Sequence, residues 1–338
     1  MTGDEVIALL GTPAGAPAVT DLLDAWGVRW PPRLDDADPE AVGDAVDPYV
    51  WRPSSKRGIE FGFTDEAYQQ ALSEDDRGRG PLVCTHAIFY GEHPGVLPFD
   101  GEVPFGLALA DGREHVQTDL SGRWGPARTH RRDAWDVPDH RIVVEHTDDG
   151  QRMDSLLVKR PLQPWPPADT ATPPTPDEIR SCFGEPWYGE TMQKLFFPLG
   201  LARCGPGIAR NRTGDLRREV GLELFFDREP GLGDASPLKD KGLGLAGAKL
   251  FANRFQDARQ WPGGLPLGLT FKTAFPDVVS AVGRPPDGGQ DGHLSGHAVW
   301  HLKDYTLHVQ YDNVDNVLWS VSMLRPGFWT ASDSLPLG

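Results

Sequence analysis

Cysteine is scarce. Three cysteines occur in 338 residues, Cys84, Cys182 and Cys204, odd in number and widely spaced. That argues against a disulfide framework and suits a reducing compartment. Long apolar runs are missing as well. No window reaches the roughly 18 apolar residues of a membrane span. The opening MTGDEVIALL has no basic stretch leading into an apolar one, so no secretory signal is expected and the cytoplasm is the expected location. Basic residues are few, 33 against 49 acidic ones, for a net charge of −16. A nucleic-acid partner needs a basic face and is therefore not expected. There is no GxSxG, no phosphate-binding loop and no dinucleotide fingerprint. Catalytic residues, metals and cofactors are accordingly not expected.

What is present belongs to a globular chain: 39% hydrophobic and 24% charged residues, with 39 glycines and 32 prolines marking many turns. The length allows two ordinary domains, each with its own core.

The sequence repeats itself. Residues 2–13 align without gaps to 175–186, so that Asp4, Glu5, Gly11 and Pro13 recur as Asp177, Glu178, Gly184 and Pro186. Gly58, Glu60 and Phe63 match Gly221, Glu223 and Phe226. Phe89 is matched to Phe251, and VPFGLAL (103–109) to LPLGLTF (265–271). Residues 135–161 align without a gap to 300–326, pairing Trp135 with Trp300, Asp139 with Asp304, Ser155 with Ser320 and Arg160-Pro161 with Arg325-Pro326. Long-period repetition of this kind points to two copies of one unit. The expected organisation is a first module over 1–161, a stiff proline-rich linker over 162–174 and a second module over 175–338.

Each module is expected to be α+β, with short helices packed on an antiparallel sheet. Thr2 and Thr175, each followed three residues later by glutamate, form capping boxes, and Gly11 and Gly184 stand where a helix ends. Residues 19–27 suit a second short helix. Helices over 112–120 and 274–282 are expected to end at Gly-Arg. Strands are expected over 57–63, 82–90, 220–226 and 245–251. Alternation predicts two more over 305–311 and 317–323, with Val317, Trp319, Val321 and Met323 on one face. The order of helix, Leu-Gly-x-Pro and tryptophan-bearing antiparallel strands resembles the SmpA outer-membrane assembly lipoproteins and the β-lactamase inhibitory protein, mainly over 104–161 and 266–326. That resemblance implies helices on a curved antiparallel sheet and carries no function with it. The acidic, duplicated character is similar in style to immunity proteins of bacterial polymorphic toxin systems.

The charge is uneven: residues 1–161 carry 29 acidic and 16 basic side chains, residues 162–338 carry 20 and 17. Asp35, Asp36, Asp38, Glu40, Asp44 and Asp47 form an acidic segment flanked by Trp30 and Trp51, with SEDD (73–76) as a second acidic stretch. Aromatic residues bordering carboxylates suit a basic protein partner, such as a toxin. The expected function is that of a non-enzymatic inhibitory protein. A scaffold, or an enzyme with an unfamiliar site, is the alternative.

Other motifs have plainer readings. His293 and His297 have metal-ligand spacing only on a helix, and GGQDGHLSGH reads as a loop. Asp148, Asp149, Asp312, Asn313 and Asp315 lack the rest of a calcium loop and read as hairpin turns. The cysteines read as small apolar residues. Arg160 and Arg325 are expected to pair with carboxylates such as Asp139 and Asp304.

Overall fold

The structure, a computed structural model, describes residues 2–28, 49–71, 81–91, 93, 95–167, 172–228 and 242–328. It is α+β, and the chain forms two compact units, Met1–Gln163 and Pro164–Gly338.

The first unit runs α1 (Gly3–Ile7), α2 (Pro17–Ala25), β1 (Tyr49–Ser54), β2 (Ile59–Asp65), α3 (Glu66–Gln69), β3 (Leu82–Tyr90), α4 (Arg113–Trp124), β4 (Arg128–Thr129), β5 (Asp133–Val137), β6 (His140–His146) and β7 (Met153–Lys159). Its seven strands form one antiparallel sheet in the order β1-β2-β3-β7-β6-β5-β4. The second unit runs α5 (Pro176–Ser181), α6 (Glu190–Phe196), α7 (Gly205–Asn211), β8 (Thr213–Leu216), α8 (Arg217–Val220), β9 (Leu222–Arg228), β10 (Leu243–Phe251), α9 (Phe275–Val282), β11 (Gly288–Asp291), β12 (Ser295–His301), β13 (Thr306–Asp312) and β14 (Val317–Leu324). Its sheet has the order β8-β9-β10-β14-β13-β12-β11, the same path strand for strand.

Local chemistry accounts for the shared features. Thr2 and Thr175 both complete capping boxes, each hydroxyl accepting the amide of the glutamate three residues on at 3.2 Å. Pro17 opens α2, where its missing N–H is harmless. Phe105 and Leu267 both take a left-handed conformation in the 3-10 turns Pro104–Gly106 and Pro266–Gly268. In the first unit Val6, Leu22, Leu23, Val116 and Leu120 of the helices pack on Ile59, Phe61, Phe63, Phe89 and Trp135 of the sheet. In the second, Ile179, Met192, Phe196 and Val278 pack on Leu222, Leu224, Phe226, Leu250 and Trp300. Each such side chain contributes about 1.5–3 kcal/mol by leaving water. These two tryptophans keep a polar partner, Trp135 Nε1–H donating to Ser121 Oγ and Trp300 Nε1–H to the Arg284 carbonyl.

Two bulges recur, and they correct the strand phases expected from alternation. Between Gly62 and Phe63 the partner strand carries one extra residue, Thr85; between Phe225 and Phe226 it carries Ala246. Counting strands from these bulges places Tyr90, not Phe89, opposite in role to Phe251. The amide of Tyr90 donates to Gly58 O at 2.8 Å, that of Phe251 donates to Gly221 O at 2.9 Å, and each residue faces a serine, Ser155 or Ser320. The other bulge falls at Asp154 and at Trp319. One added residue turns the strand over. Leu318 therefore enters the core while Trp319, expected beside Val321, instead stacks on Phe255 at 5.0 Å. Helix α4 also runs past Gly122 and Arg123 to Trp124 and is closed by Gly125, whereas α9 stops at Gly283 as expected.

The expected linker is divided between the two units. The amide of Gln163 donates to Gln69 O at 2.9 Å. Trp165 exchanges two hydrogen bonds with Asn253, of 2.8 and 3.1 Å, and carries the Arg254 guanidinium over its ring.

Candidate functional site

Trp30, Asp35, Asp36, Asp38, Glu40, Asp44, Asp47 and the stretch 73–76 lie outside the described residues. Trp51 is described. It sits on β1, at one end of its sheet, where β2 is its strand neighbour among the described residues. Alternation turns Val50, Arg52 and Ser54 inward and leaves Trp51 38% exposed. Its cross-strand partner is Gly62. A Cβ at that glycine would lie 2.7 Å from His86 Cβ and 2.9 Å from the Trp51 ring. The missing side chain lets the indole cross β2 and meet the His86 ring at 5.2 Å. Tyr49 completes the patch, 5.5 Å from His86 and 5.9 Å from Tyr68. His86 is held from behind, its Nδ1 2.8 Å from Thr85 Oγ1, which is 2.5 Å from Thr64 Oγ1. In the second unit the bulky and small residues are exchanged: Phe225 stands on β9 across from Thr213 on β8. Indole and phenol faces attract guanidinium and ammonium groups, so this patch suits a cationic side chain.

A second arrangement was invisible in the sequence because it needs the strand register. Glu223 stands opposite Lys249, Lys249 opposite Ser322, and Ser322 opposite His308. Lys249, Ser322 and His308 are all buried. The same row in the first unit reads Glu60, Ile88, Leu157 and Val143. Burial pulls the Lys249 ammonium down to about 8 and the His308 imidazole down to about 3, and it pushes the Glu223 carboxyl up. The ammonium sits 4.8 Å from the centre of the Phe251 ring. The Ser322 hydroxyl oxygen is buried with no hydrogen-bond partner among the described residues. Such a row costs stability.

The remaining candidates resolve as follows. Cys84 and Cys182 are buried, and burial pushes their thiols up to about 12 and about 11; Cys204 is half-buried and shifted the same way. GGQDGHLSGH is not a loop but the β11–β12 hairpin. His297 lies on β12 with its ring 5.6 Å from His308, and His293 lies in the turn. No group of three potential metal ligands occurs among the described residues. Asp149 Oδ1 accepts from Thr147 Oγ1 and the Gln151 amide, and Asp312 Oδ1 from the amides of Val314 and Asp315, which is turn chemistry. Arg160 does not seek Asp139. Its Nη1 donates to the Leu10 carbonyl and lies where a side chain at Gly11 would be. Among the described residues no helix is long and apolar enough to cross a membrane.

No family model matches the sequence, and no curated protein matches it. Among solved structures, a crystal structure of an extracellular protein containing a SCP domain from Bacillus anthracis str. Ames aligns over 96% of each chain, with 10% identity and a TM-score of 0.23. Similarity at that level carries nothing over to this chain.

Proposed function

We propose that this chain is an internal duplication whose first unit binds a basic protein and blocks it, as an immunity protein blocks a toxin. The observation that carries the reading is Trp51, exposed on a terminal strand, backed by His86 and following directly on the acidic segment that contains Asp35–Asp47. Exposed tryptophan is the residue type most enriched among binding hot spots. The acid excess of the first unit would steer a basic partner towards it, raising the association rate by about 10 to 10³-fold at low salt. The shared strand path and the paired bulges support duplication. Three free cysteines suit the cytoplasm.

The test is capture of partners on the tagged full chain at low and then moderate salt, read by mass spectrometry. One basic protein is expected, retained by the native chain and lost from both Trp51→Ala and a triple Asp35→Lys, Asp36→Lys, Asp38→Lys variant. Equal retention by these variants, or no retained protein at either salt, overturns the proposal. Retention of a second copy of this chain alone would point to strand pairing along β1 instead.

A further inference from the structure

Beyond the partner-binding reading, we propose that the second unit holds a binding cleft for a small phosphate ester. A cleft of about 670 Å³ opens between the segment following α6 and helix α8, and Arg203, Arg218 and Arg259 line it together with a single carboxylate, Glu219. Three arginines lining one hollow are unexpected in a chain of net charge −16. Each comes from a different segment: Arg203 from the 3-10 turn Leu201–Cys204, Arg218 from α8 and Arg259 from the connection after β10.

Two of the three are positioned by specific features. Gly200 has φ +109°, and a Cβ there would lie 2.7 Å from Arg203 Nη2, so the glycine allows the guanidinium to fold back over the turn. Among the described residues that guanidinium makes no ion pair and no hydrogen bond, so its donors are available. Arg259 is anchored by one edge, its Nη1 donating to the carbonyls of Pro166 and Pro167 at 3.2 and 3.4 Å. An anchored guanidinium loses little freedom when an anion arrives. Leu199 and Val220 are buried in the lining, and Phe197 adds an aromatic wall beside Arg203.

The ligand chemistry follows from charge, geometry and size. Guanidinium forks match the oxygens of phosphate, and several forks satisfy a dianion better than a single carboxylate can. The volume lies within the range of small-molecule sites and exceeds what inorganic phosphate alone would fill. The apolar wall accounts for the rest of the molecule, so an ester with an aromatic or alkyl portion is favoured over free phosphate.

Calorimetric titration of the full chain at low salt tests this with three probes: phenyl phosphate, inorganic phosphate and benzoate. Phenyl phosphate is expected to bind tightest, inorganic phosphate more weakly and benzoate weakest. Arg203→Gln and Arg259→Gln should each weaken phenyl phosphate by about 10-fold or more, the effect of losing a charge-assisted hydrogen bond. Glu219→Gln should tighten it, and serves as the second readout if an arginine variant melts below the native chain. The proposal fails if the native chain binds no probe, if benzoate binds as tightly as phenyl phosphate, or if Arg203→Gln and Glu219→Gln both bind like the native chain. Failure here leaves partner capture by the first unit untouched, because Arg203→Gln should retain the basic protein in full.

Discussion

Arg113, the first residue of α4, grips Asp133 on β5 through two hydrogen bonds of 2.8 Å, from Nε and Nη2. The carboxylate is completely buried and also accepts from Gln117 Nε2 and Thr129 Oγ1. The bond to Asp133 raises the Arg113 guanidinium further above its usual range. The first residue of α9 is Phe275, which lies flat on Tyr311 at 4.3 Å. The helix after the 3-10 turn is thus fastened by a half-exposed arginine on a buried carboxylate in one unit and by stacked rings in the other.

Arg113→Ala would leave a buried carboxylate without its counter-charge. The expected cost is about 1–3 kcal/mol for the first unit, because the guanidinium is partly solvent-screened and Asp133 keeps Gln117 and Thr129 as donors; it is seen as a lower midpoint in urea unfolding of the full chain. The double variant Arg113→Ala with Asp133→Ala should recover part of that loss. A single-variant shift below about 0.5 kcal/mol, the ordinary range for surface substitutions, would show that the pair is not a fastening.

The polar row of the second unit makes stability depend on pH. The folded Lys249 ammonium titrates near 8 rather than 10.5, so the folded state resists its protonation. That cost is absent above about 10.5, grows as pH falls towards 8 and is borne in full below it. The difference amounts to about 3 kcal/mol. His308, lowered from 6.5 to about 3, adds a further loss as pH falls from 6.5 towards 3. Lys249→Ile with Ser322→Leu and His308→Val installs the row carried by the first unit. It should raise the melting temperature at pH 7 and flatten the rise in stability between pH 8 and 10.5. Equal or lower stability in the triple variant would count against the row as a strained element.

Thiol labelling at pH 8 should modify Cys204 first. Cys84 and Cys182 should react only after denaturant is added, because the thiolate is the reacting form and burial suppresses it. Rapid native labelling of Cys84 would mean that the β2–β3 region opens readily.

Replacing Gly62 by alanine tests the aromatic patch without removing any aromatic residue. The new methyl group meets both His86 and the Trp51 ring, so one must move. Partner retention should fall roughly as it does for Trp51→Ala, while urea stability falls by about 1–3 kcal/mol. Unchanged retention would mean that the indole need not lie over β2.

Much of this fold was legible because its signals are local. Thr2 and Thr175 announce their helices by capping, and strands such as 305–311 alternate over short windows. Trp319 was misplaced because a bulge is a property of two strands, and one strand alone does not reveal it. Phe89 was matched to Phe251 for the same reason: identical side chains suggested an alignment that the ladder moves by one residue. Lys249, Ser322 and His308 lie far apart in the sequence and meet only through register. Arg203, Arg218 and Arg259 converge through turns that no periodicity encodes. Of the candidate partner residues, Trp51 alone lies among the described residues, and its exposure follows from the alternation of Tyr49–Ser54.

The second unit opens with Pro164, whose ring holds φ near −65°, followed directly by Trp165. Within the second unit, Trp165 is latched to Asn253 by two hydrogen bonds and covered by the Arg254 guanidinium. A pull on the residues that enter this unit would load that latch before it reached a strand.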